Sequence, residues 1–380
     1  QAQVRGKTGT VTQRSREIKK MLPPQLFDLT TLQREANRKF GYPADKTLQL
    51  AQTLYEKHKL LTYPRTDSRY LSSDMPPKIA ATLQRLPEPY AQLVRSGDFQ
   101  KGLVSKRYYD DSKISDHHAI VPTEKVANLN ALTPEERSIY DMVARRLIAI
   151  HYPDYEYESA KITTVVEGRE FRSSGNTPLK MGWRILYADE KKPAKEETLP
   201  EVQVGDTRPV EKTSLKQSKT KPPEAHTDAS LLGLMENAGE KLEDPELRER
   251  MKSAGLGTPA TRAAIIQRLI QAGYAKRSGK KIQSTEKGQR LIAVTPVQIS
   301  SPNTTGKWEK ALYDMANNPD AALRTAKAER FMSGIRKFAV FLVDAAKAAD
   351  DTQRFPQSPK KTAPKKRAPA KKPQDKMPKA

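Results

Sequence analysis

Tyr63, Pro64 and Arg65 put a phenol, a fixed backbone turn and a guanidinium at three consecutive positions, inside the run Leu60-Leu61-Thr62-Tyr63-Pro64-Arg65-Thr66-Asp67-Ser68-Arg69-Tyr70. These are parts from which a device for breaking a phosphodiester can be built. Pro64 locks its own φ and pushes Tyr63 towards extended backbone, so the ring leaves the chain at a defined angle where the apolar Leu60-Leu61 pair ends. Arg65 falls two residues on, the period at which an extended chain returns to one side. Its planar fork suits the phosphate that the Tyr63 oxygen would approach. A free phenol is almost wholly protonated at neutral pH, so attack on a phosphodiester requires charge stabilisation of the oxyanion and the phosphate. A tyrosine after two leucines is also an ordinary core residue, and the chain holds 14 tyrosines.

The elements that must position this segment follow from periodicity. From Leu26 the pattern is helical, with Leu32, Ala36 and Phe40 recurring every four residues and Gly41 placed as a stop. A second expected helix carries Leu48, Ala51 and Tyr55 on one face and delivers the chain into Lys59 to Tyr63. Residues 3–22, with Val4 and Val11, read as an extended basic stretch that must pair with strands further on. Residues 87–130 are loop-rich and contain His117. Thr133-Pro134-Glu135-Glu136 predicts a capping box with proline at the first helical position, and Ile139, Val143, Leu147 and Ile150 form a buried stripe until Pro153 ends the helix. Alternating Ile162, Thr164 and Val166, turn residues at Glu167-Gly168 and a further strand from Trp183 to Tyr187 predict a β segment over 155–221, with Trp183 in its core. Residues 191–197 and 217–221 read as charged loops or linkers. Helical patterning returns from His226 to about Lys347. There Thr258-Pro259 opens a helix with Ile265, Ile266, Leu269 and Ile270 on its apolar face, Gly273 stops it, and a hairpin turns at Ser278-Gly279. Helix followed by basic hairpin resembles a winged helix, a pattern used on DNA and in purely structural roles. After Phe355, 25 residues hold nine Lys or Arg, one Asp and six Pro, a composition that predicts disorder.

At 380 residues the chain is long enough for two or three domains, each with a core. With 68 Lys and Arg against 45 Asp and Glu, its +23 balance favours a polyanion as partner: nucleic acid first, an anionic membrane second. Apolar runs such as Phe338 to Val343 are far too short to span a bilayer, and no signal-peptide pattern opens the chain, so a soluble cytoplasmic protein is expected. Absence of cysteine excludes disulfides and thiolate zinc sites.

Further candidate residues lie outside the first segment. His117 stands before Ala119-Ile120-Val121-Pro122, an apolar run able to anchor its loop beneath a site. It can donate to a phosphate oxygen or pass a proton to a leaving oxygen, and otherwise is a solvated loop histidine. The adjacent His118 is given no role, and two neighbouring histidines without an acidic cluster do not make a zinc site. Asp67 and Arg69 can orient Arg65, bind neighbouring phosphates or pair with each other on a turn. Gly255 and Gly257 before Thr258 can expose backbone N–H groups and a helix N-terminus to a phosphate, or form a tight turn capped by Thr258. Arg184 beside Trp183, and His226 with Thr227, could serve a single-strand groove. No phosphate-cradling loop with Lys-Ser/Thr is present, so ATP use is not indicated. No Asp-x-Asp follows an apolar strand, and Asp110, Asp111 and Asp116 lie in a polar loop.

The segment around Tyr63 resembles the active-site segment of type IA DNA topoisomerases. Four further stretches resemble the same family in the same order: Ser115 to Thr123, Pro222 to Leu232, Gly255 to Arg262, and Ser284 to Gly288. The doubled histidine and missing cysteines are similar to the topoisomerase III branch. The resemblance implies a mixed α and β multidomain fold made of an arch and a base: 1–25 and 154–222 as β-rich arch segments, 26–153 as a helical domain carrying the tyrosine, 223–347 as a helical DNA-binding domain, and 348–380 as a disordered basic tail. It implies catalysis by Tyr63, Arg65 and His117, with Asp67, Arg69, Arg184, His226, Thr258 and Arg262 on DNA, Arg262 in the region carrying single-stranded DNA to the nucleophile. The implied activity is ATP-independent cleavage, strand passage and religation of single-stranded DNA through a 5′-phosphotyrosine, which relaxes or decatenates DNA in the bacterial nucleoid. Family members bind Mg²⁺ through an acidic cluster in an N-terminal domain. Only 62 residues precede Tyr63, so the chain is expected to be the C-terminal part of such an enzyme and to need the other half for relaxation. A non-catalytic single-stranded DNA-binding protein is the rival that charge supports equally. A tyrosine recombinase would want an Arg-His-Arg set upstream of a late tyrosine, whereas His117 follows Tyr63. Oligomeric state is left open.

Overall fold

A computed structural model describes residues 3–102, 104–190 and 198–349. The fold is mixed α and β. A long strand β1 (Thr8–Met21) opens it, followed by α1 (Leu29–Phe40), α2 (Ala44–Glu56), α3 (Pro76–Gln84), α4 (Tyr90–Val94) and α5 (Pro134–Ala149). Then come β2 (Tyr155–Val166), β3 (Arg169–Lys180) and a short β4 (Thr207–Pro209). The rest is helical apart from a hairpin: α6 (Asp228–Glu236), α7 (Pro245–Ala254), α8 (Pro259–Gln271), β5 (Ala275–Ser278), β6 (Lys281–Ser284), α9 (Glu286–Val294), α10 (Val297–Ser300), α11 (Pro302–Ala316) and α12 (Ala321–Ala348).

The first strand does pair with later ones, as its length required. The sheet order is β3-β2-β1-β4, antiparallel throughout, with β1 paired to β2 from Thr10 opposite Val165 to Met21 opposite Tyr155 across a register shift between Val11 and Gln13. Few side chains of this ribbon are buried, and its own small core is Val11, Ile162 and Val202. Exposed strands of this kind rest on their backbone ladder and on surface pairs such as Arg16 with Glu158 and Lys20 with Glu156.

The main core lies between Leu26 and Leu186 and is built by α1 to α5 with the loops between them. Asp28 caps α1 by accepting from Thr31 N at 2.6 Å, and Gly41 ends it in the left-handed conformation (φ 77°). In α2 the buried face is Ala44, Thr47, Ala51 and Leu54, one position off the expected Leu48, Ala51 and Tyr55. That shift leaves Tyr55 half-buried on the side facing Tyr63. The Thr133 capping box forms, but α5 ends at Ala149, before Pro153 is reached.

The strand expected from Trp183 to Tyr187 is instead 3₁₀ helix, Gly182–Glu190. Gly182 takes φ 47°, and a Cβ there would lie 2.3 Å from the Asp154 carbonyl oxygen, so the chain turns sharply. Trp183, Leu186 and Tyr187 then fall on one face and pack on the main core, with Trp183 Nε1 donating to the Met21 carbonyl at 2.8 Å. Trp183 thus belongs to the core of the helical region and not to that of the sheet.

The expected hairpin is β5 and β6, turning at Ser278 and Lys281. Its Ile282 joins Ala44, Leu232, Ala263 and Ile266 in a second core that ties α6 and α8 to α2. Arg277 of β5 forms an ion pair with the buried Asp228 at the start of α6. The basic tail expected from residue 348 lies, beyond Ala349, outside the described residues, as does the charged loop 191–197.

Candidate active site around Tyr63

The chain reaches Tyr63 through a strained turn. Lys59, just past α2, has φ 57°, a conformation costing a lysine about 1 kcal/mol. Leu60 N donates to the Leu54 carbonyl at 2.8 Å, and Thr123 Oγ1 donates to the Lys59 carbonyl at 2.7 Å, which holds the turn. The chain then runs extended beside the loop after His117. Thr62 N donates to the Val121 carbonyl at 2.9 Å, Val121 N to Thr62 Oγ1 at 3.0 Å, and Leu61 bridges to Pro122. Ala119, Ile120 and Val121 are fully buried, so the apolar run does anchor the histidine loop.

Two segments 54 residues apart therefore become one surface. The Tyr63 ring lies 4.4 Å from the His117 ring, centroid to centroid, at 47°. Its other neighbour is Tyr55, edge-on at 5.5 Å. His117 is solvent-exposed, and its carbonyl accepts from Thr66 Oγ1 at 2.8 Å. Arg65 is also exposed, with Nη2 donating to Gln52 Oε1 of α2 at 3.2 Å. Asp67, exposed, accepts from Ser115 Oγ at 3.2 Å, so it braces the histidine loop and does not pair with Arg69. His118 turns away, its Nδ1 2.8 Å from the Ala119 carbonyl. This surface offers a partly exposed phenol, an exposed guanidinium and an exposed imidazole, and among the described residues no carboxylate is bound to the guanidinium.

Arg69 and Arg262 both have partners inside the protein. Arg69 Nε meets the buried Asp28 carboxylate at 2.6 Å, and its Nη2 meets Glu236 at 3.3 Å. Glu236 also holds Arg34 at 3.1 Å. Arg262, only 4% exposed, donates to Thr30 Oγ1 at 3.2 Å and to the Leu256 carbonyl at 3.3 Å. Burial drives the Arg262 pKa down against the pull of Glu236 and Asp28. At Arg69 the same penalty is outweighed by Asp28, and the pKa rises. The two arginines thus join α1 and the Tyr63 segment to α6 and α8. A buried carboxylate needs paired donors, and buried Asp28, with the partly buried Glu236 beside it, draws them together.

The remaining candidates are dispersed. Arg184 lies over the Tyr155 ring at 4.2 Å, at the foot of β2. His226 is exposed beside Ser230, its ring nitrogen 3.3 Å from Oγ. Thr258 opens α8, its N–H donating to Thr261 Oγ1 at 2.9 Å, so the local turn uses Thr261 as well as Thr258. Gly255 and Gly257 both take left-handed φ. Sequence reasoning missed Gln52, Thr66, Asp28 and Glu236. Gln52 and Tyr55 are three apart on a helix, but no motif marks them as neighbours of Arg65 and Tyr63.

Among the described residues, no group of three or more His, Asp or Glu is arranged to hold a metal ion. Among them, too, no helix is long and apolar enough to cross a membrane.

Comparison with known proteins bears on this surface. A family model described as DNA topoisomerase matches residues 1–323. DNA topoisomerase 3 of Bacillus cereus is 39% identical over 354 residues, covering 90% of this chain and 47% of that protein. DNA topoisomerase 3 of Bacillus subtilis is 39% identical over 323 residues, covering 82% and 44%. The chain spans about half the length of the curated relatives it matches. Among solved structures, full-length topoisomerase I from Thermotoga maritima is similar in fold, with a TM-score of 0.60 at 21% identity over 86% of this chain and 52% of that one.

Proposed function

From the premise that the chain belongs to the DNA topoisomerase family, and within it to the type IA, topoisomerase III-like enzymes, we propose that it carries the tyrosine nucleophile for single-strand DNA cleavage and religation. The carrying observation is the shared surface of Tyr63, Arg65 and His117. Residues 26–153 form the unit bearing the nucleophile, residues 1–25 and 154–222 the β-rich arch, and residues 223–347 the helical base.

The Tyr63 phenol oxygen attacks the phosphorus of a single-stranded DNA link, and the bond to the 3′ oxygen breaks. The products are a 5′-phosphotyrosine and a free 3′ hydroxyl, the 5′ polarity being carried from the family resemblance. Arg65 is free to place its remaining donors on the phosphate, where charge grows in the transition state. The phenol gives up its proton to water as it attacks, and His117, its ring tilted at 47° beside the attacking ring, is placed to give the leaving 3′ oxygen a proton, so the step is balanced. Resealing reverses the step, and because the phosphotyrosine ester keeps the energy of the broken link, no nucleotide is consumed. The described residues do not cluster into a site for the Mg²⁺ that the family implies, so no step here runs through a metal. Thr258 and His226, exposed on the base, and Asp67, Arg69, Arg184 and Arg262 are proposed DNA contacts, Arg69 and Arg262 being positioned by their partners within the protein.

Covalent capture tests the reading. Incubated with single-stranded DNA and denatured, the protein should retain a covalently bound strand, and Tyr63→Phe should lose it with little change in affinity. The removed oxygen is a reacting atom and not a binding contact. An adduct that survives in the Phe variant excludes Tyr63; DNA binding without any adduct, even with the other half of a relative supplied, favours a non-catalytic single-strand binder, which the +23 charge would also serve.

A further inference from the structure

We propose that α2 is a template for the reactive segment, with Tyr55 and Gln52 as positioning residues for Tyr63 and Arg65; this deepens the nucleophile reading and rests on it. Residues three apart on a helix share a face with their Cβ atoms about 5–6 Å apart. Gln52 and Tyr55 are such a helical pair, and Tyr63 and Arg65 stand on either side of the bend at Pro64. The two pairs face each other. Tyr55 meets Tyr63 edge-to-face at 79° and 5.5 Å, and Gln52 Oε1 accepts from Arg65 Nη2 at 3.2 Å.

Two details make the match specific. Gln52 Nε2 donates to Glu56 Oε1 at 3.2 Å, which turns the amide so that its carbonyl, not its NH₂, faces the guanidinium. The acceptor touching Arg65 is neutral, so the arginine is held without its charge being cancelled. The left-handed turn at Lys59 folds the chain back alongside α2, and Lys59 Nζ lies 5.6 Å from the Tyr55 ring. Neither Gln52 nor Tyr55 contacts the atoms that react. Their effect is on geometry, where small displacements of reacting groups cost roughly 100-fold in rate.

Fluorine NMR of the full chain labelled with 3-fluorotyrosine tests the ring contact, the Tyr63 resonance being assigned by its loss in Tyr63→Phe. Tyr55→Leu should move that resonance towards the free amino-acid value, and Tyr55→Phe should leave it in place, because only the ring is needed. In a ¹⁵N-arginine sample, Gln52→Ala should shift and broaden the Arg65 side-chain signal. Gln52→Glu should sharpen it yet weaken the response of Arg65 to an added single-stranded oligonucleotide, since a carboxylate competes with phosphate. Cleavage by Gln52→Ala and Tyr55→Leu should fall roughly 10- to 100-fold in kcat with KM little changed. Unmoved Tyr63 and Arg65 signals in Tyr55→Leu and Gln52→Ala overturn the template even if Tyr63 is the nucleophile. Cleavage that survives Tyr63→Phe overturns the nucleophile and leaves the ring contact to be judged by its resonance.

Discussion

Two segments of this chain each carry an arginine shortly after a proline, and the structure uses them in opposite ways. In Tyr63-Pro64-Arg65 the guanidinium is exposed and tethered by one neutral acceptor. In Thr258-Pro259-Ala260-Thr261-Arg262 it is buried beneath α1, near two carboxylates. The difference is set by what the rest of the fold supplies. Asp28, buried, and Glu236, partly buried, lie where α1 meets α6 and draw cations there. Among the described residues nothing acidic is bound to Arg65, whose charge stays available. Of two motif arginines, one is held within the fold and the other keeps donors for a phosphate.

The largest effect that should separate the two segments is on stability. Arg262→Ala is expected to destabilise the fold by about 3–5 kcal/mol, because it leaves the Thr30 hydroxyl and the Leu256 carbonyl without their buried donor and opens a cavity where the side chain lay. Arg65→Ala should stay within about 0.5 kcal/mol. Thermal melts of the two variants side by side check this, and equal melting temperatures would erase the distinction.

Next in size is the converse effect on chemistry. Arg65→Ala should slow cleavage and religation by the equivalent of about 2–4 kcal/mol while DNA affinity falls far less, as expected when a preorganised transition-state donor is lost. Equal losses in rate and affinity would reduce Arg65 to a general phosphate contact.

His151 sharpens the comparison from a third side, as a basic group buried without help. Neither of its ring nitrogens has a hydrogen-bond partner among the described residues, and burial pushes its pKa down to about 4, against a smaller upward pull from the Gln100 backbone. The folded protein holds it neutral while the unfolded chain binds a proton near pH 6.5. Stability from this group is therefore full above pH 6.5 and is lost as pH falls towards 4, by about 2 kcal/mol at pH 5. Urea melts between pH 7 and 5 should show that loss and show it shrink in His151→Phe. The Arg262 cluster, buried with partners, should add no comparable slope through a basic group.

The smallest effect on the fold should come from charge held in neither segment. Deleting residues 356–380, with nine Lys or Arg, should leave melting unchanged but flatten the salt dependence of single-strand binding, by about 0.7 log units per log salt for each phosphate contact removed. An unchanged slope would show that the tail does not touch DNA.

Local signals carried much of this protein. The Thr133 capping box, the stop at Gly41, the Glu167-Gly168 turn and the Ser278-Gly279 hairpin are decided within a few residues by backbone sterics and by donors close in sequence, so reading them needed no fold. The motifs likewise identified the family and put Tyr63, Arg65 and His117 forward together. What the sequence could not decide is which side chains meet across long separations. The meeting of the Tyr63 and His117 rings depends on two extended segments being stitched by Thr62 and Val121. The engagement of Arg69 and Arg262 depends on Asp28 and Glu236 lying at the same place. Trp183 turned from strand to 3₁₀ helix because the main core offered it a better surface than the thin ribbon did. Periodicity and capping act over one or two turns and are written in order along the chain. Burial and charge compensation act between elements brought together only by folding, and at Arg69, Arg262 and Trp183 they determined the placement.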